Sequence, residues 1–251
     1  MSLQACADIV AKGDPDRYRA AMAAPVAARR VLFPLYAFNV EVARAPWVGS
    51  EPMIGEMRLQ WWRDVLEEIA GGGPVRRHEV ATPLAEVLDG TGAAALDGLV
   101  SVRRWDLYRE PFEDDAHFER YLGAGGILMW TAARLLGAEA QAADRVTALS
   151  QGAALARFFQ AVPELEARGR VPLVDGRPEA VRRLAEGALD RMPGQREVRA
   201  ILPRMAQAAT IEAWQARPVL RRVARDPARV VEGRLGLSEF RKRLGLVLTT
   251  L

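Results

Sequence analysis

Residues 25–69, PVAARRVLFPLYAFNVEVARAPWVGSEPMIGEMRLQWWRDVLEEI, read as two helices joined by a short turn. Their bulky apolar residues include Leu32, Phe33, Tyr36, Phe38, Trp61 and Trp62, and a stripe at Ile54, Met57, Trp61, Val65 and Ile69 follows helical spacing. Such a stripe is stable only against partner helices. Ser50, Glu51 and Pro52 form a start signal: a capping hydroxyl, an acid at the positive end, and a proline where no N–H is missed. Gly71 to Gly73 and Pro74 stop the second helix. Pro34 removes one backbone bond from the first, so a kink or a joint is expected near residue 30.

The rest of the chain reads as helix after helix. Asp14-Pro15 starts a short one, with the acid as cap and proline in the first turn. Further helices are expected near 79–89, ending at Gly90-Thr91-Gly92, and over 93–110, stopped by Pro111. The acidic start at Glu113, Asp114 and Asp115 opens a longer helix ending at Gly137, with His117 in its first turn. Gly123, Gly125 and Gly126 inside it cost about 1 kcal/mol each, so they serve close packing or a break. A helix over 140–162 is expected to end at Pro163. Others follow at 177–192, 195–224 (with Pro203 and Pro218 as irregularities) and in the tail, where Phe240, Leu244, Val247 and Leu248 form a stripe after Ser238-Glu239. Period-2 strands are absent. The class is all-α, as one domain over 1–251.

Several function classes fall away. No apolar run approaches the length of a bilayer span, and the first residues, MSLQACADIVAKGD, are too short and polar for a signal peptide. A lone cysteine, Cys6, excludes an internal disulfide and suggests a reducing compartment, so the cytoplasm is the expected location. Two histidines, His78 and His117, leave no His/Cys metal cluster to build. The net charge of +3 is carried by arginine, since Lys12 and Lys242 are the only lysines. The arginine excess runs parallel to Ala, Gly and Pro and reads as coding bias. No basic block is interleaved with aromatics, so nucleic acid is not an expected partner. The segment GAGG at 123–126 lacks the preceding strand of a dinucleotide site.

RRVLFPLYAF followed by MRLQWWRDVL resembles the opening of the squalene/phytoene synthase family. AFNVEVA, SEPMIGEMRLQWW and a later Ala-x-Pro are similar to the branch of that family containing a mitochondrial complex I assembly factor. The resemblance implies the isoprenoid-synthase type of helical bundle around a central cavity. In active members, two aspartate-rich motifs on facing helices hold the Mg²⁺ ions that neutralise a leaving diphosphate; hard Mg²⁺ takes oxygen ligands.

Neither motif survives the alignment. Laid on Tyr36-Ala37-Phe38, the first places Val40 at the family's basic position and Ala43, Arg44 and Trp47 at its three aspartates. The second, aligned on Gly169-Arg170, becomes Arg157, Gln160, Ala161 and Leu165. A one-residue slip rescues nothing, because Glu164 and Glu166 are the only acids between Arg157 and Arg170. Glu41 lies about 160° around the helix from the first motif's leading acid. The resemblance thus implies cavity or ligand positions at Tyr36, Phe38, Glu41, Arg44, Trp62, Arg157, Gln160, Glu164 and Arg170, with no catalytic residue and no metal ligand among them.

The implied function is a non-catalytic or repurposed member, acting in respiratory complex assembly or in binding an isoprenoid or quinone-like lipid. Its expected partners are such a lipid, a respiratory complex subunit and the surface of the inner membrane; no cofactor is expected. The alternative is an active head-to-head prenyl transferase, which would need Mg²⁺. Whether the cavity is open, or filled by Trp47, Phe158 and Phe159, is left undecided by sequence.

Overall fold

Helices α1 (Leu3–Gly13) and α2 (Pro15–Ala23) meet at Asp14, in a computed structural model that describes residues 2–49 and 51–250. The Asp14 carboxylate accepts from the backbone N–H of Arg17 at 3.0 Å, so the cap read from the sequence forms. Helix α1 was not expected; its buried Cys6, Ala7 and Val10 pack it on the body. Burial pushes the Cys6 thiol up to about 11, which makes it an inert core residue.

The two organising helices are α3 (Arg29–Arg44) and α4 (Pro52–Ala70), joined through a 3₁₀ turn at Ala45–Trp47. A further 3₁₀ turn, Val26–Ala28, runs into α3 and forms the joint expected near residue 30, so Pro34 sits inside an intact helix. Ser50 lies outside the described residues, and α4 starts from Glu51 without a side-chain cap. The stripe expected on α4 is displaced. Its buried face carries Gly55, Leu59, Trp62, Val65, Leu66 and Ile69, whereas Ile54 and Met57 are exposed. A stripe counted from Ile54 misses the face on which Gly55 meets the Leu107 side chain.

Helix α5 (Ala81–Ala85) is shorter than expected, and α6 (Gly90–Ser101) begins at the glycines that were read as punctuation. Asp89 caps it, accepting from Gly92 N–H at 2.8 Å, and a cap makes a glycine-rich first turn viable. The chain then tightens into a 3₁₀ segment, Val102–Asp106. Helix α7 (Asp115–Leu135) is capped by Asp114 and ends at Gly137, whose φ of 99° turns the chain.

Helix α8 (Ala143–Ala167) runs straight through Pro163. Buried Val162 and Leu165 hold its last turn against the core, and the stop is Gly169, at φ 77°. There Arg170 N–H returns to Leu165 C=O at 3.0 Å and Gly169 N–H to Glu166 C=O at 2.8 Å, a Schellman closure. Helix α9 (Pro178–Arg191) matches its expected span. The single helix expected over 195–224 is instead α10 (Gln195–Ala200), α11 (Gln207–Thr210), a 3₁₀ turn at Ile211–Ala213 and α12 (Ala216–Arg225). The break falls at Pro203, and Gln207 Nε2 satisfies the freed carbonyls of Arg199 and Leu202 at 3.0 and 3.1 Å. Pro218 lies in the first turn of α12, where its missing N–H costs nothing.

Helices α13 (Ala228–Val231) and α14 (Glu239–Thr250) complete the order. The α14 stripe at Phe240, Leu244, Val247 and Leu248 faces outward. No strand occurs among the described residues, and one continuous core joins the buried side chains of α1 to α12. Among the described residues, no helix is long and apolar enough to cross a membrane.

Candidate functional site

Helices α3 and α8, with α7 between them and the start of α2 at one side, enclose a cavity of about 570 Å³. Its close walls depend on small residues. A side chain added at Gly125 of α7 would meet Ala154 of α8 at 2.9 Å, and Ser150 Oγ donates across the same seam to Gly125 C=O at 3.2 Å. Gly125 thus serves close packing, and none of the three glycines breaks α7. The cavity is open: Trp47 and Phe158 stand in its wall, while Phe159 is buried in the core behind it.

The positions aligned with the two aspartate motifs converge here. Ala43, Arg44 and Trp47 line the cavity from the α3 side, and Arg157, Ala161 and Leu165 from α8. Glu164 also lines it. Gln160 belongs to an adjacent hollow of about 180 Å³, which shares Asp14, Arg17 and Arg157 with the main cavity. The remaining named residues stand behind the wall. Tyr36 is buried beside the Arg17 guanidinium, 5.6 Å from its ring centre, and Phe38 packs edge-on against Trp62 at 5.2 Å. Glu41 turns aside to pair with Arg44 at 3.6 Å. Arg170 is buried, donates to Asp106 C=O and lies over the rings of Trp47 and Trp105.

Two charge clusters, each built on a buried acid (Glu212 or Asp106), flank the cavity, and neither was read from the sequence. In the first, Arg17 donates to Glu212 from Nε and to Asp14 Oδ2 at 2.9 Å from Nη1, while Arg157 Nη1 lies 3.7 Å from the same Glu212 oxygen. Burial and the neighbouring Arg17 charge lower the pKa of Arg157, and its Nη2 has no hydrogen-bond partner. Burial, reinforced by Glu212, holds the Tyr36 phenol well above its ordinary value. In the second, Arg103 Nη1 donates to Tyr121 Oη at 2.8 Å and to Asp106 Oδ2 at 3.2 Å, and Tyr121 donates to Asp106 Oδ1 at 3.1 Å. Burial raises the Asp106 carboxyl further than Arg103 and Tyr121 lower it. One sign was available: Glu212 is the only acid in MAQAATIEAW, and an acid on an apolar helical face needs a partner.

A cluster of Mg²⁺ ions needs several free carboxylates. Each acid lining this cavity already faces a guanidinium: Asp14 with Arg17, Asp106 with Arg103, and Glu164 with Arg168 at 2.5 Å. Among the described residues, no group of three His, Cys, Asp or Glu side chains is placed to hold a metal ion. The donor set does not fit a multi-ion site. What the cavity offers is apolar wall beside arginine.

The fold is that of known synthases. A dehydrosqualene synthase in complex with ligand superposes with a TM-score of 0.79 at 16% identity, over 98% of this chain and 94% of that one. Squalene synthase HpnC from Alicyclobacillus acidocaldarius gives 0.70 at 16% identity, over 90% and 94%. At that identity the likeness shows the fold alone. Among curated proteins, the human NADH dehydrogenase (ubiquinone) complex I assembly factor 6 is 36% identical over 69 residues, 28% of this chain and 21% of that protein. Its Drosophila melanogaster homolog is 31% identical over 122 residues, 46% of this chain and 36% of that one. The matches thus span about a fifth to a third of the curated relatives' length. Residues 10–231 match the model of the squalene/phytoene synthase family, and the chain belongs to that family.

Proposed function

We propose that this protein is a repurposed member of its family that binds a long apolar ligand with a polar or acidic head, without Mg²⁺. It would serve respiratory complex assembly from the membrane surface, through a complex subunit as partner. One observation carries the reading: Ala43, Arg44, Trp47, Arg157, Ala161 and Leu165 meet at a single cavity where the family resemblance calls for acids. Arginine there repels a metal ion and favours an anionic or hydrogen-bond-accepting head. The Arg157 side chain lines the cavity and brings its guanidinium beside such a head. A preformed cavity of about 570 Å³ falls within the usual size for a small-molecule site. Burying isoprenoid carbons at about 25 cal/mol per Å² supports micromolar binding. The assembly role draws on the curated relatives, whose names state it for those proteins.

The test is calorimetry with farnesyl and geranylgeranyl lipids, with and without Mg²⁺. Heat of binding in both conditions is the expected result. Heat that appears only with Mg²⁺ would favour a working prenyl transferase, and no heat in either condition would leave an interaction scaffold. Lipid extracted with the purified protein and identified by mass spectrometry names the ligand. A lipid found in a protein that captures no respiratory subunit would make it a carrier without an assembly role.

A further inference from the structure

Successive residues of an α-helix turn by about 100°, so Phe240, Leu244, Val247 and Leu248 share one face of α14, with Arg243 along one border and Arg241 along the other. These four are exposed by 74, 46, 54 and 56%. The opposite face is the one that packs. A side chain at Gly245 would touch the Trp214 ring at 3.5 Å, Leu246 rests on the core, and Arg199 donates to the Thr249 carbonyl. The helix therefore docks by its other side and holds an apolar stripe outward. Soluble proteins rarely leave such a stripe uncovered.

We propose that α14 lies in the surface of an anionic lipid bilayer, with its outward stripe among the acyl chains and Arg241 and Arg243 at the headgroups. The inference rests on the membrane-surface role proposed above and names the surface that performs it. Charge selects the occupant. Among the described residues, neither Arg241 nor Arg243 has a carboxylate within ion-pair distance, and the acid of the helix, Glu239, is paired with Arg19 at 3.2 Å and Lys242 at 3.4 Å. An apolar face bordered on both sides by free guanidiniums matches a negative headgroup layer, with the long side chains reaching up from the buried stripe. A second copy of the chain fits worse. Two α14 stripes paired about a two-fold axis would bring arginine borders together with no acid between them. At the far end of the helix, Thr250 and the exposed Val26 border one hollow of about 430 Å³ together with Arg204, which extends the same apolar and basic character.

The test is co-sedimentation of the full chain with vesicles of phosphatidylcholine alone or mixed with phosphatidylglycerol. Binding to the anionic vesicles is expected, weakened by salt and much lower on the neutral ones. The double variant Arg241→Gln, Arg243→Gln should lose about 10- to 30-fold in partition to anionic vesicles. Phe240→Ser with Leu244→Ser should abolish binding while helicity and Tm stay at wild-type values, because both side chains are outside the core. No binding to anionic vesicles, or variants that bind as wild type, would overturn the proposal. So would a lipid-free dimer that Phe240→Ser, Leu244→Ser dissolves. Prenyl-lipid calorimetry on that double variant separates the two readings: heat retained with vesicle binding lost supports this surface. Vesicle binding in a wild-type protein that takes no prenyl lipid overturns the cavity reading and leaves this one standing.

Discussion

The guanidinium of Arg168 lies 4.4 Å from the centre of the Trp47 ring, and Arg170 approaches the same indole at 5.6 Å. Trp47 holds the position the resemblance aligns with the third aspartate of the first motif. The electron-rich ring face attracts the two cations, an arrangement worth about 0.5–1 kcal/mol at a partly exposed site. An indole under two guanidiniums is the reverse of a carboxylate beside Mg²⁺. With Ala43 and Leu165 offering no oxygen donors, the purified protein should release no diphosphate above background from farnesyl or geranylgeranyl diphosphate with Mg²⁺ or Mn²⁺. Turnover that Glu41→Ala or Glu164→Ala abolishes would mean those two acids had taken over the metal site.

The seam between α7 and α8 distinguishes two glycines, Gly123 and Gly125, that the sequence presents alike. Gly123 has nothing within 4 Å of an added side chain, whereas at Gly125 that atom would meet Ala154 at 2.9 Å. Gly123→Ala should then stabilise the protein by about 0.5–1 kcal/mol, the helix-propensity gain. Gly125→Val should destabilise it by about 1–3 kcal/mol and shrink the cavity it lines. Urea unfolding of both variants with unchanged slope is the measurement; equal effects from the two would mean the helices can part without loss.

Organisation in this sequence was legible where capping chemistry is local. Asp14, Asp114 and Gly137 mark helix ends because their own side chain or backbone freedom does the work. Signals that depend on distant partners misled. Pro163 reads as a stop, yet tertiary burial of Val162 and Leu165 carries α8 past it, and the apolar spacing of the α14 stripe does not say that it faces outward. Of the positions named from the alignment, Ala43, Arg44, Arg157 and Ala161 line the cavity, whereas Tyr36, Phe38 and Trp62 do not. The alignment could not locate the charge clusters, because Arg17 and Glu212 are 195 residues apart and no local pattern joins them.

Asp89 gives the fold a defined acid limit. It caps α6 and takes two guanidinium hydrogen bonds from Arg134, one of them at 2.7 Å. Those bonds, led by Arg134, hold its pKa down to about 2. A carboxylate whose folded value is depressed adds stability that is present above its unfolded value, about 4, and is lost as pH falls through the folded one. Asp89→Ala should therefore cost about 1–2 kcal/mol at neutral pH, most of it from the cap because the pair is half exposed. The gap between wild type and variant should close between about pH 4 and pH 2. Thermal unfolding across that range checks it, and a gap constant down to pH 2 would rule out the ionic contribution.

Glu212 has no exposed side-chain surface, yet it stands between two arginines, Arg17 and Arg157. Taking its charge away leaves Arg157 facing Arg17 with no acid between them, in a buried setting that already lowers the Arg157 pKa. Removing one partner of a buried pair costs about 3–5 kcal/mol, and Asp14 still pairs with Arg17, which puts Glu212→Ala near the lower end. Glu212→Gln keeps the shape and one acceptor, so its cost should be smaller, about 1.5–3 kcal/mol for a lost charge-assisted bond. Arg17→Ala alone strands Glu212 in turn, and the double variant Arg17→Ala, Glu212→Ala removes both charges together. Its destabilisation should fall short of the sum of the single costs by about 1–3 kcal/mol, read from urea midpoints in a double-mutant cycle. Additive costs would show that Arg17 and Glu212 are held separately, each by the surrounding fold, and that the cavity's inner wall does not depend on their bond.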